Sequence, residues 1–149
     1  MITDKLIDNW KKWLEYSISR NPSTISNLII QLRDSEKVKT FPGIYLEDQS
    51  AERIDTGGIA DGNAYRVSIK TMLVSVPADS GQNGTTKAEH DAMRDDLAKS
   101  VGDCLAQDWL NSQIGIVVFE SLTGAPVTTA EDGYRVTSWT TEMVACLNA

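Results

Sequence analysis

The residue types best suited to chemistry gather around the one histidine of the chain, His90. Asp91 follows it directly, and Asp95 comes four residues later. A histidine close to carboxylates can begin a metal site or an acid–base pair. A metal ion needs further ligands to hold and tune it, usually more histidines, and the sequence contains none. The residue types alone therefore do not predict a metal centre.

The same stretch has the pattern of a helix with a polar outer face. Thr86 and Glu89 form a capping box, in which the hydroxyl and the carboxylate each bind a free backbone N–H group. Asp91, Asp95 and Lys99 follow at intervals of four residues, where a carboxylate before a lysine stabilises a helix. We therefore interpret the stretch, its histidine included, as the solvated face of a helix that ends near residue 111.

The two cysteines, Cys104 and Cys146, are the remaining candidates for a nucleophile. On the predicted helix Cys104 lies fourteen residues after His90, about 21 Å along the helix axis, so the two cannot form a nucleophile–base pair. Two cysteines also do not make a disulfide framework. We interpret both as small buried side chains, and a bridge between them would require them to be neighbours in the fold.

The loop GGIADGN, residues 57–63, resembles a Gly/Asp calcium-binding repeat. Such repeats bind calcium in stacked copies, and this one occurs once. It also lacks the regular oxygen ligands and the terminal Glu of an EF-hand loop. Neither of the common glycine-rich phosphate-binding motifs is present. The sequence therefore predicts no catalytic residue, no metal site and no cofactor.

Composition and charge narrow the class of protein. The chain has 149 residues, which suits one domain with one core, and it is 41% hydrophobic and 23% charged. Its net charge of −7 argues against broad contact with nucleic-acid phosphates or anionic membranes. Apolar runs such as IGIVVF at residues 114–119 are too short to span a bilayer, and residues 1–8 lack the pattern of a secretion signal. We expect one domain over residues 1–149, with no membrane contact and no sequence-specific nucleic-acid contact.

Residues 1–36 are expected to form two helices. In the first, apolar residues recur at helical spacing and define one face. These residues are Ile7, Trp10, Trp13, Leu14 and Ile18. Asn21-Pro22 ends this helix and opens a second, shorter one. The buried face of the second helix would hold Ile25, Leu28, Ile29 and Leu32.

For residues 37–149 the sequence predicts a sheet and one long helix. Strands are expected at 43–47, 64–76, 114–122 and 134–147, with a hairpin turn at Asp132-Gly133. Apolar residues on both faces of the second of these strands indicate two-sided burial or a β-bulge near residues 71–73. The order of elements predicts an α+β domain with a mostly antiparallel four-stranded sheet, helices packed on one face and two N-terminal helices.

The packing of the long helix can also be predicted. Its apolar stripe consists of Met93, Leu97, Val101, Cys104 and Leu105. Gly102, beside this stripe, predicts close packing of the helix on the sheet. Trp139 on the last strand is expected in the core or in an interface.

Four segments in this order resemble the tail terminator (tail-completion) proteins of long-tailed bacteriophages. They are FPGIYLED at 41–48, VSVPAD at 74–79, HDAMRDDL at 90–97, and YRV at 134–136 leading into TTEMVAC at 140–146. The resemblance covers roughly residues 38–148 and rests on the order of elements and on short motifs. The N-terminal helical part is longer than expected for the smaller members of that family.

The resemblance implies a non-enzymatic virion protein that is assembled in the host cytoplasm. Such proteins form a ring, typically sixfold, at the head-proximal end of the tail tube, where they stop tube polymerisation and offer a surface for the head. The implied partners are further copies of the chain, the tail tube protein and the head–tail connector or stopper protein. A ring forms when each copy contacts the next through two different surfaces and the rotation between copies brings the last copy back to the first. An acidic surface on such a ring can bind a basic face on the next ring.

The candidate contact regions are the polar loops at 56–63 and 77–85. Within them the candidate residues are Gly57, Gly58, Asp61, Asp79, Gln82 and Asn83. Three other functions stay open: a head–tail connector or stopper protein of the neck, a generic protein-binding module, and a small cytoplasmic enzyme. The enzyme would use carboxylates such as Asp61, Asp91 or Asp95, but no convergent set of acid, base and anion-binding groups is visible in the sequence.

Overall fold

The computed structural model describes residues 2–33, 40–53, 64–78, 84–103, 116–131 and 133–147. The elements in these ranges confirm the predicted α+β class. They are α1 (Ile2–Arg20), β1 (Ile30–Leu32), β2 (Gly43–Arg53), β3 (Ala64–Ser75), α2 (Lys87–Asp103), β4 (Ile116–Thr123), β5 (Val127–Glu131) and β6 (Tyr134–Leu147).

The strands form one mixed sheet in the order β1-β2-β3-β6-β4, with β5 also paired to β6. β1 runs parallel to β2, and the other pairings are antiparallel. β4 pairs with residues 141–147 of β6, and β5 pairs with residues 134–138 of the same strand. β4 and β5 therefore lie one after the other along the same edge of β6. The described strands therefore fill five positions, one more than the sequence predicts. β1 occupies the additional position, and β5, also not predicted as a strand, shares a position with β4.

The predicted second N-terminal helix is wrong. Residues 24–27 form turns, and residues 30–32 pair with β2 at the edge of the sheet. The backbone N–H groups bond three residues back, from Ser26 to the Ser23 carbonyl at 3.2 Å and from Leu28 to the Ile25 carbonyl at 3.1 Å, which is the pattern of turns. Ile25 is buried as predicted, whereas Ile29 is 53% exposed. A three-residue edge strand pairs with a distant segment, so local apolar spacing does not reveal it.

The other strands agree more closely with their predicted positions. β6 covers the predicted residues, and Gly133 in the preceding turn has φ +82°, a left-handed conformation that glycine adopts readily. β3 keeps an unbroken register with β6, so its apolar residues reflect two-sided burial and the alternative of a bulge at residues 71–73 is wrong. The irregularity lies in β2, between Asp48 and Ser50.

Both helices pack on one face of the sheet, as predicted, and enclose the main core. Trp10 of α1 is fully buried, and its indole N–H donates to Thr71 Oγ1 on β3 at 2.9 Å. Trp139 is also buried there. The predicted helical stripes supply the other core contacts, through Ile7, Leu14 and Ile18 of α1 and Met93, Leu97 and Val101 of α2.

Gly102 does not mediate the close approach that the sequence predicts. It is exposed, and a Cβ atom at this position would have no described neighbour within 4 Å. Cys104 and Leu105 lie outside the described residues, as does the side chain of Cys146, so the interpretation of the cysteines stays a prediction. No helix in the described part of the chain is long and apolar enough to cross a membrane.

Candidate functional site

His90 is buried between α2 and the sheet, so its predicted place on a solvated face is wrong. Its Nδ1 atom lies 2.7 Å from Ser75 Oγ on β3, and its Nε2 atom lies 2.8 Å from Thr137 Oγ1 on β6. His90 precedes Met93 by three residues and Leu97 by seven, which places it on the apolar stripe of the helix. That spacing was the signal in the sequence that indicated its burial.

The surroundings of His90 favour a neutral imidazole ring that connects α2 to the sheet through hydrogen bonds. Burial lowers the pKa of His90, and the positive charge of Arg135 lowers it further, while Asp91 opposes the shift. Ser75 and Thr137 are themselves fully buried. Thr137 Oγ1 also lies 2.8 Å from Thr128 Oγ1 on β5, which extends the hydroxyl network to the surface strand. The arrangement connects α2 to three strands and leaves no room for a substrate at the ring.

The carboxylates around His90 form ion pairs along the outer face of α2. Asp91 lies 3.2 Å from Arg94 and 3.5 Å from Lys87, and Asp95 lies 3.2 Å from Arg94. Exposed ion pairs at a helix surface contribute between about 0 and 1 kcal/mol. Among the residues that the structure describes, no three potential metal-ligating side chains come together. Asp91 and Asp95 lie on the outer face of α2 as the sequence predicts, and their ion-pair partners are Lys87 and Arg94.

A further carboxylate of α2, Asp96, contacts the segment after α1. It accepts a hydrogen bond from the Thr24 N–H at 3.1 Å and another from the Thr24 hydroxyl. The bond from the Thr24 hydroxyl is the main reason that the pKa of Asp96 is lowered. The two residues are 72 positions apart, so no local pattern in the sequence indicates this link.

The face of the sheet away from the helices carries a second apolar cluster, here called the aromatic patch. It consists of Phe41, Tyr45, Met72, Tyr134 and Val136. The Phe41 ring lies 4.6 Å from the Tyr134 ring and 5.9 Å from the Tyr45 ring, between centroids. Phe41 is 37% exposed, and a cavity of about 250 Å³ opens beside it. Tyr45, Met72 and Val136 are buried, so Phe41 is the exposed part of this patch. Exposed aromatic side chains are enriched in protein–protein contacts.

A short arch at residues 40–45 holds the aromatic patch in position. The Tyr45 hydroxyl donates to the Thr40 carbonyl at 2.6 Å, and burial raises the pKa of Tyr45. A Cβ atom on Gly43 would lie 2.5 Å from the Thr40 carbonyl oxygen and 3.1 Å from the Tyr45 ring. Only glycine fits this turn without displacing its neighbours. The segment FPGIYLED thus positions Phe41, a role that no motif in the sequence indicates.

The two predicted contact loops lie mostly outside the described residues. This holds for all six of their candidate residues: Gly57, Gly58, Asp61, Asp79, Gln82 and Asn83. The ends of the second loop are described, and they meet: Thr85 bridges to Pro77, and its N–H donates to the Val76 carbonyl at 2.7 Å. The loop at 77–85 therefore starts and ends at one fixed point beside α2.

The end strands of the sheet are a further candidate contact surface. β1 forms one end, and the β4–β5 strand position forms the other. All five residues of β5 are exposed. An end strand presents backbone N–H and C=O groups to which another strand can bind.

Comparison with known proteins extends the description of the fold. No protein-family model matches the chain, and no curated protein matches it at a significant level. A chain in the solved virion of a native gene transfer agent particle aligns with a TM-score of 0.52 at 10% identity, over 89% of this chain and 91% of its own length. A second solved structure aligns with a TM-score of 0.41 at 15% identity, over 95% and 94% of the two chains. At this identity the first likeness establishes a shared fold, and the score of the second is too low to carry an argument.

Proposed function

We propose that this chain is a structural protein of a tailed, phage-like virion and acts as a tail terminator. Copies of the chain assemble into a ring, expected to be a hexamer, at the head-proximal end of the tail tube. The ring ends tube polymerisation and provides the surface to which the head attaches. Its partners are the tail tube protein and the head–tail connector or stopper protein, and the chain needs no cofactor.

The observation that carries the proposal is the fold shared with a chain of the gene transfer agent virion. The alignment covers 89% of one chain and 91% of the other, so the likeness concerns the domain as a whole. The segments at 41–48, 74–79, 90–97 and 134–146, which resemble tail terminator proteins, support the same class from the sequence.

The surfaces of the domain support an assembling protein. A closed ring requires two different surfaces on each copy, and the sheet ends in two different edges, β1 and β5. The aromatic patch adds a third surface, on the sheet face away from the helices. The net charge of −7 suits contact with a basic partner face.

An enzyme with a carboxylate site has less support. His90 is enclosed between Ser75 and Thr137, and Asp91 and Asp95 lie on the outer face of α2, paired with Arg94. A general acid or base must reach its substrate, which the enclosed ring cannot do in this conformation. The third proposed carboxylate, Asp61, lies outside the described residues.

Electron microscopy of particles assembled without this protein tests the proposal. Over-long tubes without heads are the expected result, because nothing would stop tube growth. Tails of normal length beside filled, unattached heads would instead assign the chain to the connector or stopper. Intact particles with normal tails would contradict both neck functions.

A further inference from the structure

Among the described strands, none pairs with the outer edge of β1. On the inner side of β1, the Ile29 C=O accepts a hydrogen bond from the Ile44 N–H at 3.1 Å, and the Arg33 N–H donates to a β2 carbonyl at 2.9 Å. Successive residues of a strand direct their backbone groups to opposite sides. The N–H and C=O groups of Ile30 and Leu32 therefore point away from β2, at the end of the sheet.

A groove of about 550 Å³ accompanies this open edge. It is lined by Ile18 of α1, by Leu28 and Ile29, and by β1 itself, with Lys11 and Glu15 among its polar residues. The sequence of β1, IQL, contains neither the charges nor the proline with which proteins commonly block an edge. A strand paired at the usual spacing of about 4.8 Å would lie along this groove.

The opposite end of the sheet provides a strand of matching type. β5 carries no charge from Val127 to Ala130, and Val127 is 58% exposed. Glu131 pairs with Tyr134 next to the turn at Gly133. The pair that closes so short a hairpin is of the hydrogen-bonded type, so the backbone groups of Thr128 and Ala130, at alternate positions, are expected to point outward. β5 therefore also has two residues whose N–H and C=O groups point away from β6.

The directions of the strands allow the two edges to meet in a ring. Following the pairings across the sheet, β5 runs antiparallel to β1. Copies related by rotation about a ring axis would therefore bring β5 of one copy antiparallel to β1 of the next. Such a contact joins unlike surfaces and covers the outer edges of β1 and β5 once the ring closes.

We propose that the groove between α1 and β1 is a strand-binding site whose occupant is β5 of a second copy of this chain. The inference rests on the ring of the proposed function and specifies its subunit contact. It makes the sheet continuous around the ring, with backbone hydrogen bonds between copies.

A proline in β5 tests the contact. Ala130→Pro removes an outward N–H group but leaves the bonds to β6, and Ala130→Ser is the matched control. We expect native mass spectrometry to show about tenfold or more loss of rings for Ala130→Pro and none for the control. Circular dichroism checks that both variants fold. Equal assembly of the two variants would overturn the inference.

A second pair of variants serves if the proline prevents folding. Ile29→Lys places a charge in the groove at a residue that is 53% exposed. Tyr16→Lys is the control, because it places the same charge at an α1 residue that is 42% exposed and does not line the groove. Loss of rings is expected for Ile29→Lys only. Loss of rings in both variants or in neither would overturn the inference.

Photo-cross-linking identifies the occupant. A benzophenone amino acid at position 29, in rings made from mixed ¹⁴N- and ¹⁵N-labelled chains, should attach to residues 127–131 of a different copy. Cross-links to another region or to another virion protein would overturn the inference. Correct tails with cross-links elsewhere would leave the proposed function intact, whereas absence of the chain from purified particles would overturn the function itself.

Discussion

At the scale of single residues, His90 couples packing to protonation. The neutral ring bonds to two buried hydroxyls, one as donor and one as acceptor. A protonated ring could donate to both hydroxyls but would bring a charge into the core. Among the charged groups that face the ring, Arg135 on β6 and Arg94 on α2 disfavour its protonation. Asp91 favours protonation, but its effect is weaker than that of Arg135.

The free energy of unfolding should therefore fall on mild acidification. Unfolded histidine binds its proton near pH 6.5, whereas burial lowers the pKa of folded His90. The unfolded chain thus binds more protons below that pH, and stability is lost by up to about 1.4 kcal/mol per pH unit as pH falls from 6.5 towards the folded pKa. Urea unfolding between pH 7.5 and 5 measures the loss.

His90→Gln is the control, and its unfolding free energy should change little over the same pH range. Carboxylates such as Asp96, with a lowered pKa, contribute at more acidic pH. Because the chain has one histidine, its NMR signal gives the pKa directly. Equal pH dependence in both proteins, or an ordinary pKa for His90, would contradict this account.

At the scale of elements, α2 begins at the predicted capping box. The Glu89 N–H donates to Thr86 Oγ1 at 3.1 Å, and the Thr86 N–H donates to the Glu89 carboxylate at 3.0 Å. Thr86→Ala should lower the free energy of unfolding by about 1 kcal/mol. Lys99→Ala, at an exposed position of the same helix, should change it by less than about 0.5 kcal/mol. Equal urea midpoints for the two variants would argue against a contribution from the cap.

The aromatic patch is expected to be covered in the assembled particle. Phe41→Lys should leave the monomer folded, since Phe41 is 37% exposed, but should reduce incorporation into particles at least tenfold. Tyr16→Lys replaces a comparably exposed aromatic residue outside the patch, and should be incorporated normally. Western blots of purified particles measure incorporation. Normal incorporation of Phe41→Lys would exclude the patch as a contact surface.

Local signals in the sequence account for what could be predicted. The hairpin turn at Gly133, the strand at 134–147 and the capping box depend on neighbouring residues, and all three are confirmed. β1 could not be predicted, because its pairing with β2 is decided by tertiary contacts. His90 was misassigned because its polarity outweighed its position on the apolar stripe, and the hydroxyls of Ser75 and Thr137 that make burial possible are distant in sequence.

At the scale of the whole molecule, the proposed function requires a closed ring. The purified chain, or the chain released from particles, should have about six times the 16.4 kDa mass of one copy. Native mass spectrometry together with negative-stain images measures both mass and closure. A chain that stays monomeric at high concentration and in contact with tail tubes would contradict the ring.

The location of the protein in purified particles tests the central claim most directly. Immunogold labelling with an antibody to this chain should place gold at the head-proximal end of the tail, and mass spectrometry of the same particles should find the chain. Gold along the whole tail or on the head surface would contradict the terminator. Absence of the chain from purified particles would contradict a structural function in the virion altogether.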